Sequence, residues 1–229
     1  MTTLRIGIAG AGRMGRAIAA TIAQQADLEL AGIWTRGGNL DDVVASADVV
    51  IDFSLPDGTV EVLAAAVRHG KPLVCGVSGL DLDQVALLDQ AAARIPIVYD
   101  RNMSLGVAVL EHSVREAAAS LGADFVVEIS ETHHIHKKDA PSGTALKLGE
   151  AAAAARGEHG TGTVRFEVER RGEVPGDHEV VMRSPTERLT FAHSVTTRQV
   201  FADGALRAAR WVARQTPGRY GMGAVLFGK

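Results

Sequence analysis

One stretch of the chain concentrates the side chains that could perform chemistry. Residues 131–150 read ETHHIHKKDAPSGTALKLGE, with three histidines and two lysines within six positions. Histidine can hold or release a proton near neutral pH, and lysine carries a positive charge that attracts anions. The stretch therefore allows three interpretations: a metal site, a solvated polar surface, or an anion-binding active site.

The metal interpretation fits the spacing of the histidines poorly. We expect His133, His134 and His136 to lie on one extended segment, where successive side chains point to opposite sides. A zinc site usually takes converging ligands that a cysteine or a carboxylate completes. We therefore predict no metal at this site.

The residues that follow the histidines favour an anion-binding site. Pro141 suits the first turn of a helix, because its missing N–H would have no partner there. Ser142, Gly143 and Thr144 would then present hydroxyl and backbone N–H groups at the positive end of that helix. With Lys137 close by, this turn could hold a substrate carboxylate while a histidine supplies a proton.

A second candidate site lies near the beginning of the chain. Gly10, Gly12 and Gly15 form G-x-G-x-x-G between a β-branched run and a helical pattern. Glycines at these positions let backbone N–H groups approach a pyrophosphate at a helix N-terminus. The context favours a dinucleotide site over a glycine-rich turn that serves packing alone.

The residues after the second predicted strand indicate which dinucleotide binds. An acidic side chain there would hold a ribose 2′-hydroxyl, whereas an arginine accommodates a 2′-phosphate. Thr35 and Arg36 occupy the position, which predicts that NADPH binds at least as well as NADH. The alternative is that Arg36 is an ordinary surface arginine.

The loops 76–79 and 99–104 also follow predicted strands and are candidate nicotinamide contacts.

Alternating strand and helix patterns would position the glycine loop. β-Branched runs occupy 4–10, 28–34, 47–53, 71–77 and 95–100, with helical stretches at 14–25, 59–69 and 82–93 and a short link at 35–46. Such alternation is typical of parallel strands covered by helices on both faces. We predict an α/β protein with a Rossmann-type, doubly wound parallel dinucleotide-binding domain.

The pattern changes after residue 104, where a second domain begins. A helix at 105–122 and a strand at 124–130 precede the histidines, and an alanine-rich helix follows them. Segments 163–170, 178–184 and 188–196 then read as antiparallel strands, before a final helix at 203–215. We predict an α+β domain with a mixed or antiparallel sheet.

Composition restricts the partners of the chain. Its 229 residues are 46% apolar, and the net charge of −3 provides no basic surface for nucleic acid. The single Cys75 excludes an intrachain disulfide framework and suits a reducing compartment. No apolar run is long enough to cross a membrane. We therefore expect a cytoplasmic protein with a small-molecule partner and no nucleic-acid or membrane partner.

Several motifs resemble those of the dihydrodipicolinate reductase (4-hydroxy-tetrahydrodipicolinate reductase) family. The family signature E-x-H-H-x-x-K-x-D-A-P-S-G-T-A is similar to ETHHIHKKDAPSGTA at 131–145. The segments GAGRMGR, VIDFSLPDGT, GVSGL, RNMSLGV, RGEVPGDHEV and FADGALRAARW also follow the family's order. The resemblance covers nearly the whole chain.

The resemblance implies a specific reaction and specific site residues. The family uses NADPH or NADH to reduce a cyclic dicarboxylate imine, made from aspartate semialdehyde and pyruvate, to tetrahydrodipicolinate on the route to diaminopimelate and lysine. By position, His133 would be the proton donor, Lys137 a second catalytic group, and His134 a substrate contact. Gly143 with Thr144 would bind a carboxylate. With Thr35 and Arg36, the dinucleotide site would comprise Gly10, Ala11, Gly12, Arg13, Met14, Gly15, Gly76, Val77, Ser78, Asp100, Arg101, Asn102 and Met103.

The resemblance also implies domain bounds and an assembly. Residues 1–104 and 200–229 would form the dinucleotide-binding domain, and 105–199 the domain that binds substrate and builds a homotetramer. Two alternatives stay open: another two-domain NAD(P)-dependent oxidoreductase acting on an amino acid or a sugar, and a non-catalytic dinucleotide sensor.

Overall fold

A computed structural model of the chain describes residues 3–228. It divides into two compact units, one running to Leu105 and resuming at Gln199, the other spanning Gly106–Arg198. These bounds differ by one residue from those that the resemblance implies. None of the helices in the described part of the chain has the length and apolar character needed to cross a bilayer.

Helices and strands alternate through most of the described chain. In chain order they are β1 (Leu4–Ala9), α1 (Arg13–Ile22), β2 (Leu28–Trp34), α2 (Leu40–Ser46), β3 (Val49–Asp52), α3 (Pro56–His69), β4 (Leu73–Cys75), α4 (Leu82–Ala92), β5 (Pro96–Tyr99), α5 (Leu105–Leu121), β6 (Val126–His133), α6 (Gly143–Ala155), β7 (Val164–Arg170), β8 (Asp177–Arg183), β9 (Arg188–Ser194), α7 (Gln199–Val212), β10 (Gly218–Tyr220) and α8 (Met222–Phe227).

The first unit is built on a six-stranded sheet in the order β10-β5-β4-β3-β1-β2, and all its paired strands are parallel. Consecutive β-branched residues such as Val49, Val50 and Ile51 are buried, as expected for a sheet covered on both faces. Helix α1 packs on α7, while α3 packs on α2 and α4. This confirms the predicted doubly wound fold.

Three elements of this unit depart from the sequence prediction. The link at 35–46 contains α2, whose first turn is capped by the side chain of Asn39 accepting from the N–H of Asp42. Strand β10 and helix α8 were not predicted. Both elements are short. Strand β10 is held at the sheet edge by pairing with β5, and no local sequence pattern predicts such a long-range contact.

The second unit contains a four-stranded mixed sheet in the order β7-β6-β8-β9. β8 and β9 are antiparallel as predicted, but β7 runs parallel to β6, so the prediction of antiparallel pairing was wrong for 163–170. The reason is that α6 connects β6 to β7, and a helical crossover returns the chain in the same direction. The core between this sheet and its helices includes Val127, Ile129, Leu148, Val180 and Met182.

The histidine segment is not fully extended. β6 continues through His133, after which the chain turns, and the N–H of Lys137 donates to the carbonyl of His134 at 3.1 Å. The expected alternation of His134 and His136 along one strand was therefore wrong. Pro141 was also misplaced by the prediction, because α6 begins at Gly143 with Ser142 as its N-cap.

Candidate active site

The alternation of β6 places two functional side chains on its buried face. Val127, Ile129, Glu131 and His133 are buried, because successive residues of a strand point to opposite sides and this side faces the core. Glu131 pairs with His178 of β8, on the neighbouring strand. The tip of β6 therefore carries ionisable groups at the edge of an apolar core.

The Glu131 carboxylate is the centre of the site. Its Oε1 accepts from the N–H of Ser142 at 2.9 Å and from Nη2 of Arg170 at 3.1 Å. Its Oε2 lies 2.8 Å from Nδ1 of His133 and 3.9 Å from Nε2 of His178. Burial alone would raise the pKa of Glu131, but the contacts from His133 and Ser142 outweigh it and lower the pKa to about 2. The carboxylate is therefore ionised at neutral pH.

The His133 ring is held from several directions. Its Nδ1 is buried 2.8 Å from Glu131, an ion contact without the alignment of an ideal hydrogen bond. It also makes an edge-to-face contact with the His178 ring, with centroids 5.1 Å apart. A Cβ at Gly176 would lie 2.9 Å from Nε2 of His133, so the glycine keeps that edge of the ring uncrowded.

His178 is a neutral neighbour in this cluster. Burial and the His133 ring lower the pKa of His178 to about 3, so the ring is uncharged at physiological pH. Its Nε2 lies 3.4 Å from the hydroxyl of Ser142, which also caps α6 by accepting from the N–H of Ala145 at 3.1 Å. The cluster thus connects the proton-donor candidate to the N-terminus of α6.

The N-terminus of α6 and Lys137 together hold an anion of the chain itself. Nζ of Lys137 lies 2.9 Å from Oδ1 of Asp139, and the backbone N–H of Gly143 also interacts with this carboxylate. Burial raises the pKa of Asp139, but these two contacts outweigh it and hold the pKa below its usual range. The groups predicted to bind an anion, Lys137 and the N-terminus of α6, therefore bind the Asp139 carboxylate in this structure.

Arg170 ties the loop to the strands. Besides Glu131, its guanidinium donates to the carbonyl of Lys137 at 3.2 Å and to the carbonyl of Asp139. A guanidinium has five N–H donors in a fixed plane, which suits it to holding several acceptors in one geometry. Arg170 thus sets the path of the backbone between the histidines and α6.

The other two histidines of the segment 131–150 are not part of the contacts around Glu131. His134 is half-buried, and burial and the Arg198 guanidinium lower its pKa. His136 is exposed, with Nε2 at 3.5 Å from Oε1 of Glu173. The nitrogen and oxygen atoms that do converge, within 4.8 Å, belong to Glu131, His133 and His178, and the charge of that carboxylate is already balanced by Arg170.

The glycine loop of the first unit has the geometry of a pyrophosphate site. A Cβ at Gly10 would lie 2.6 Å from the carbonyl oxygen of Phe53, and one at Gly15 would lie 1.8 Å from the carbonyl oxygen of Gly10, so both glycines are required by packing. Gly12, the N-cap of α1, faces open space and gives the helix no side-chain cap. The N–H groups of this helix end can therefore serve a ligand.

A cavity of about 260 Å³ adjoins the glycine loop. Of the predicted cofactor residues it is lined by Gly10, Ala11, Gly12, Thr35 and Arg36. The sequence prediction missed the rest of its lining, which is Trp34, Phe53, Ser54, Leu55 and Gly58. Loops after β1, β2 and β3 meet here because carboxyl ends of parallel strands share one edge of the sheet. The residues fit the phosphate and ribose groups of a dinucleotide.

The remaining predicted cofactor residues lie outside that cavity. Gly76 follows β4, and a Cβ there would lie 2.4 Å from the Phe53 ring. The Asp100 carboxylate accepts from the N–H groups of Asn102 and Met222, each at 3.1 Å, so it holds two backbone segments together. The side chain of Met103 is buried. Arg13 and Met14 begin α1, Val77 is buried, and Ser78 and Arg101 are exposed.

Three residues of the site were missed from sequence: Glu131, Arg170 and His178. Glu131 opens the signature segment and His178 lies in RGEVPGDHEV, but these motifs were used only to identify the family. Since the three residues come from three different strands, no local spacing indicates that they meet.

Models of known families match both units of the chain. The dihydrodipicolinate reductase N-terminal model matches residues 4–103, and the C-terminal model matches residues 106–226. The 4-hydroxy-tetrahydrodipicolinate reductase of Zymomonas mobilis is 42% identical over 249 residues, covering 98% of each chain. That of Caulobacter vibrioides is 41% identical over 249 residues, covering 97% of each.

Solved structures show the same fold. A dihydrodipicolinate reductase from a Paenisporosarcina species, with dipicolinate bound, superposes with a TM-score of 0.82 at 20% identity and covers 99% of this chain and 100% of its own. The diaminopimelate dehydrogenase of Corynebacterium glutamicum reaches a TM-score of 0.61 at 15% identity, covering 97% of this chain and 94% of its own. By the two family models and the identity to its relatives, the chain belongs to the dihydrodipicolinate reductase family of NAD(P)H-dependent oxidoreductases.

Proposed function

We propose that the chain reduces 4-hydroxy-tetrahydrodipicolinate, or its dehydrated form, to tetrahydrodipicolinate, with His133 as the proton donor. One observation carries this assignment. The same buried carboxylate, Glu131, lies 2.8 Å from Nδ1 of His133 and accepts from the N–H of Ser142 at 2.9 Å. The contacts of Glu131 support the proposal because they bring the proposed proton donor and the N-terminus of α6 into one cluster, as reduction of an anionic imine requires.

His133 and Lys137 have separate roles in the proposed reaction. When bound, the reduced dinucleotide supplies a hydride to the conjugated C=C–C=N system of the substrate. As the electrons shift toward the ring nitrogen, the C=N bond becomes a single bond and a C=C–N system forms. The carbon next to the one that received hydride is the basic carbon of this system, and His133 protonates it, which restores the C=N bond. Lys137 and the N-terminus of α6 bind a carboxylate and stabilise negative charge during the reaction, while His134 contacts the substrate.

The contact between Lys137 and Asp139 suggests a competition between the substrate and a carboxylate of the chain. The Asp139 carboxylate interacts with the two groups proposed to hold the substrate, the Lys137 ammonium and the Gly143 N–H. We infer that the substrate carboxylate displaces it. The affinity for substrate is then reduced by the free energy needed to break the internal ion pair.

We expect Asp139→Asn to strengthen dipicolinate binding. The amide is neutral and competes less well for Lys137, and because the Asp139 side chain is more than half exposed, the gain is about 2- to 5-fold in Kd. Titration calorimetry with dipicolinate measures it. Glu173→Gln, which removes a charge from the exposed pair with His136, serves as the control. Weaker binding by Asp139→Asn would mean that Asp139 orients Lys137 rather than competing with substrate.

We propose that NADPH binds at least as well as NADH. Arg36 lines the cavity beside the glycine loop, forms no ion pair with any described residue, and is accompanied there by no carboxylate. A guanidinium beside the ribose would pair with a 2′-phosphate and gain nothing from a 2′-hydroxyl. The position of Arg36 therefore supports a preference for NADPH over NADH that depends on this one side chain.

Arg36→Ala should raise the Kd for NADPH by about 10-fold, the effect of losing one hydrogen bond between charged groups. The Kd for NADH should stay unchanged and is the internal control. Fluorescence titration of both cofactors measures the two constants. An equal loss for both cofactors would place Arg36 against a part that they share.

A coupled assay tests the proposed function. Dihydrodipicolinate synthase generates the substrate in place, and the oxidation of NADPH and of NADH is followed separately. Oxidation that depends on the synthase supports the proposal, and the ratio of the two rates reports the cofactor preference. A folded protein that binds cofactor but oxidises neither under these conditions would refute it.

We also propose that the chain assembles as a homotetramer through the second unit. The resemblance to the family supports this, because its members associate through the strands of the corresponding domain.

A further inference from the structure

We propose that Glu131 is a positioning residue for proton transfer, accepting from Nδ1 of His133 so that Nε2 carries the transferred proton. The inference rests on the proposed role of His133. In the step, the Nε2–H bond breaks and a C–H bond forms at the substrate carbon. The ring is left neutral with its remaining proton on Nδ1, facing the carboxylate.

The contact between the two side chains determines which atom donates. Nδ1 of His133 and Oε2 of Glu131 are buried and lie 2.8 Å apart, and neither atom makes a well-aligned hydrogen bond to any described residue. Two buried polar atoms at this distance must share a proton, since leaving both unsatisfied would cost free energy. Glu131 is ionised, because its pKa is about 2, and an ionised carboxylate can only accept. The proton between the atoms therefore belongs to Nδ1.

The other oxygen of Glu131 keeps the carboxylate in place. Oε1 accepts from the Ser142 N–H at 2.9 Å and from Arg170 at 3.1 Å, so Oε2 is left to face His133. The Ser142 N–H belongs to the N-cap of α6, and Arg170 also holds two carbonyl groups of the loop. The orientation of Glu131 is therefore determined by backbone atoms on one side and a rigid guanidinium on the other.

Other charged groups around the pair do not replace Glu131. Arg170 on β7 and Lys137 in the loop are cations, and neither can accept a proton from Nδ1. His178 on β8 is neutral, and its Nε2 lies 3.9 Å from Oε2 of Glu131. The carboxylate of Asp139 is paired with Lys137. Glu131 is thus the acceptor that the described site offers to Nδ1.

The opposite edge of the ring is kept clear. A Cβ at Gly176 would lie 2.9 Å from Nε2 of His133, closer than such contacts normally occur. Glycine at this position leaves Nε2 without that obstruction. Nδ1 is directed to a buried acceptor, while Nε2 lies at the edge where a substrate atom can approach. Proton donation needs this arrangement, because one nitrogen must be held in place while the other gives up its proton.

Glu131→Gln tests the inference without changing the size of the side chain. The amide oxygen can still accept from Ser142 and Arg170, which turns the NH₂ group toward Nδ1 of His133. Since NH₂ only donates, Nδ1 must accept, and the neutral ring then carries its proton on Nε2. The doubly protonated ring that donates from Nε2 would have no acceptor for its Nδ1–H in this variant. This variant therefore reverses the protonation pattern while preserving the N-cap of α6.

Two measurements follow from this reversal. Long-range ¹H–¹⁵N NMR of the His133 ring, assigned by its loss in His133→Gln, should show the Nδ1–H form in the wild type and the Nε2–H form in Glu131→Gln. The kcat should fall by about 10- to 100-fold, the range found when a group that orients a metal-binding imidazole is removed. The Kd for dipicolinate should stay within about 3-fold, because the loss concerns the transition state rather than ground-state binding.

Glu111→Gln is the matched control. Glu111 is also mostly buried and paired with cations, Lys147 of α6 at 2.7 Å and Arg115 of α5 at 3.2 Å, but it is not paired with His133. This variant should keep kcat and the His133 ring signals of the wild type.

Several results would overturn the inference. An Nε2–H form in the wild-type protein would do so whatever the variants show, even if Glu131→Gln does not fold. Unchanged kcat in a folded Glu131→Gln protein, or a fall in kcat matched by an equal loss of dipicolinate binding, would assign Glu131 to structure alone. Normal turnover by His133→Gln would instead remove the proposed role of His133, on which the inference depends, and would leave the reductase activity standing.

Discussion

His133→Gln lowers kcat by about 10²- to 10⁴-fold, the range that a positioned general acid contributes. Glutamine keeps a polar side chain of similar length, but it cannot give up a proton near neutral pH. The substrate carbon must then take its proton from water, which raises the barrier of the chemical step. KM should change little, because the proton is needed in the transition state and not for binding. Steady-state kinetics in the coupled assay measures both parameters.

The control for this variant is His136→Gln. His136 lies in the turn that follows β6, is exposed, and pairs with Glu173 at 3.5 Å. Its loss removes an imidazole from the same segment and should leave kcat unchanged. If His133→Gln turned over normally, or if both variants lost the same activity, His133 would not be the proton donor.

Lys137→Ala should damage both kinetic parameters, with a loss of about 100-fold in kcat/KM from one charged hydrogen bond in the site. The ammonium is the group that holds the Asp139 carboxylate at 2.9 Å, and it is the proposed partner of a substrate carboxylate. Its removal weakens ground-state binding and also removes a positive charge that stabilises the reacting anion. KM should rise and kcat should fall together.

Lys138→Ala is the matched control for Lys137→Ala. The two lysines are adjacent, yet Lys138 is exposed whereas Lys137 is partly buried. If the loss of positive charge alone lowered kcat/KM, both variants would lose the same activity, and both losses would change similarly with salt concentration. Normal kinetics for Lys137→Ala would contradict the proposal that this lysine and the N-terminus of α6 grip the substrate.

The fold of the first unit could be predicted because its signals are local. Apolar runs such as 28–34 and the helical patterns between them follow the periods of strand and helix, and β2 has the predicted bounds. The three glycines were recognisable because they serve one turn between β1 and α1. Helix α2 was missed because its seven residues carry too short a pattern to be separated from a loop.

The candidate site was only half accessible to the same reasoning. Twelve consecutive positions contain His133, Lys137, Ser142, Gly143 and Thr144. The spacing within this one segment was therefore sufficient to propose a proton donor beside an anion-binding site. The contact of Asp139 with Lys137 was not predicted. Whether a carboxylate points toward its neighbouring lysine depends on side-chain rotamers and on the turn at His134, neither of which a sequence pattern specifies.

The sequence by itself determined the family, the alternation of strands and helices in the first unit, and the segment that carries His133 and Lys137, because each depends on residues close together in the chain. Only the tertiary structure decided that β7 runs parallel to β6 and that Arg170 and His178 meet Glu131 from the strands on either side. The physical reason is that strand pairing joins residues far apart in the chain, here Glu131 with His178, and its register follows from burial of the whole sheet rather than from local preference.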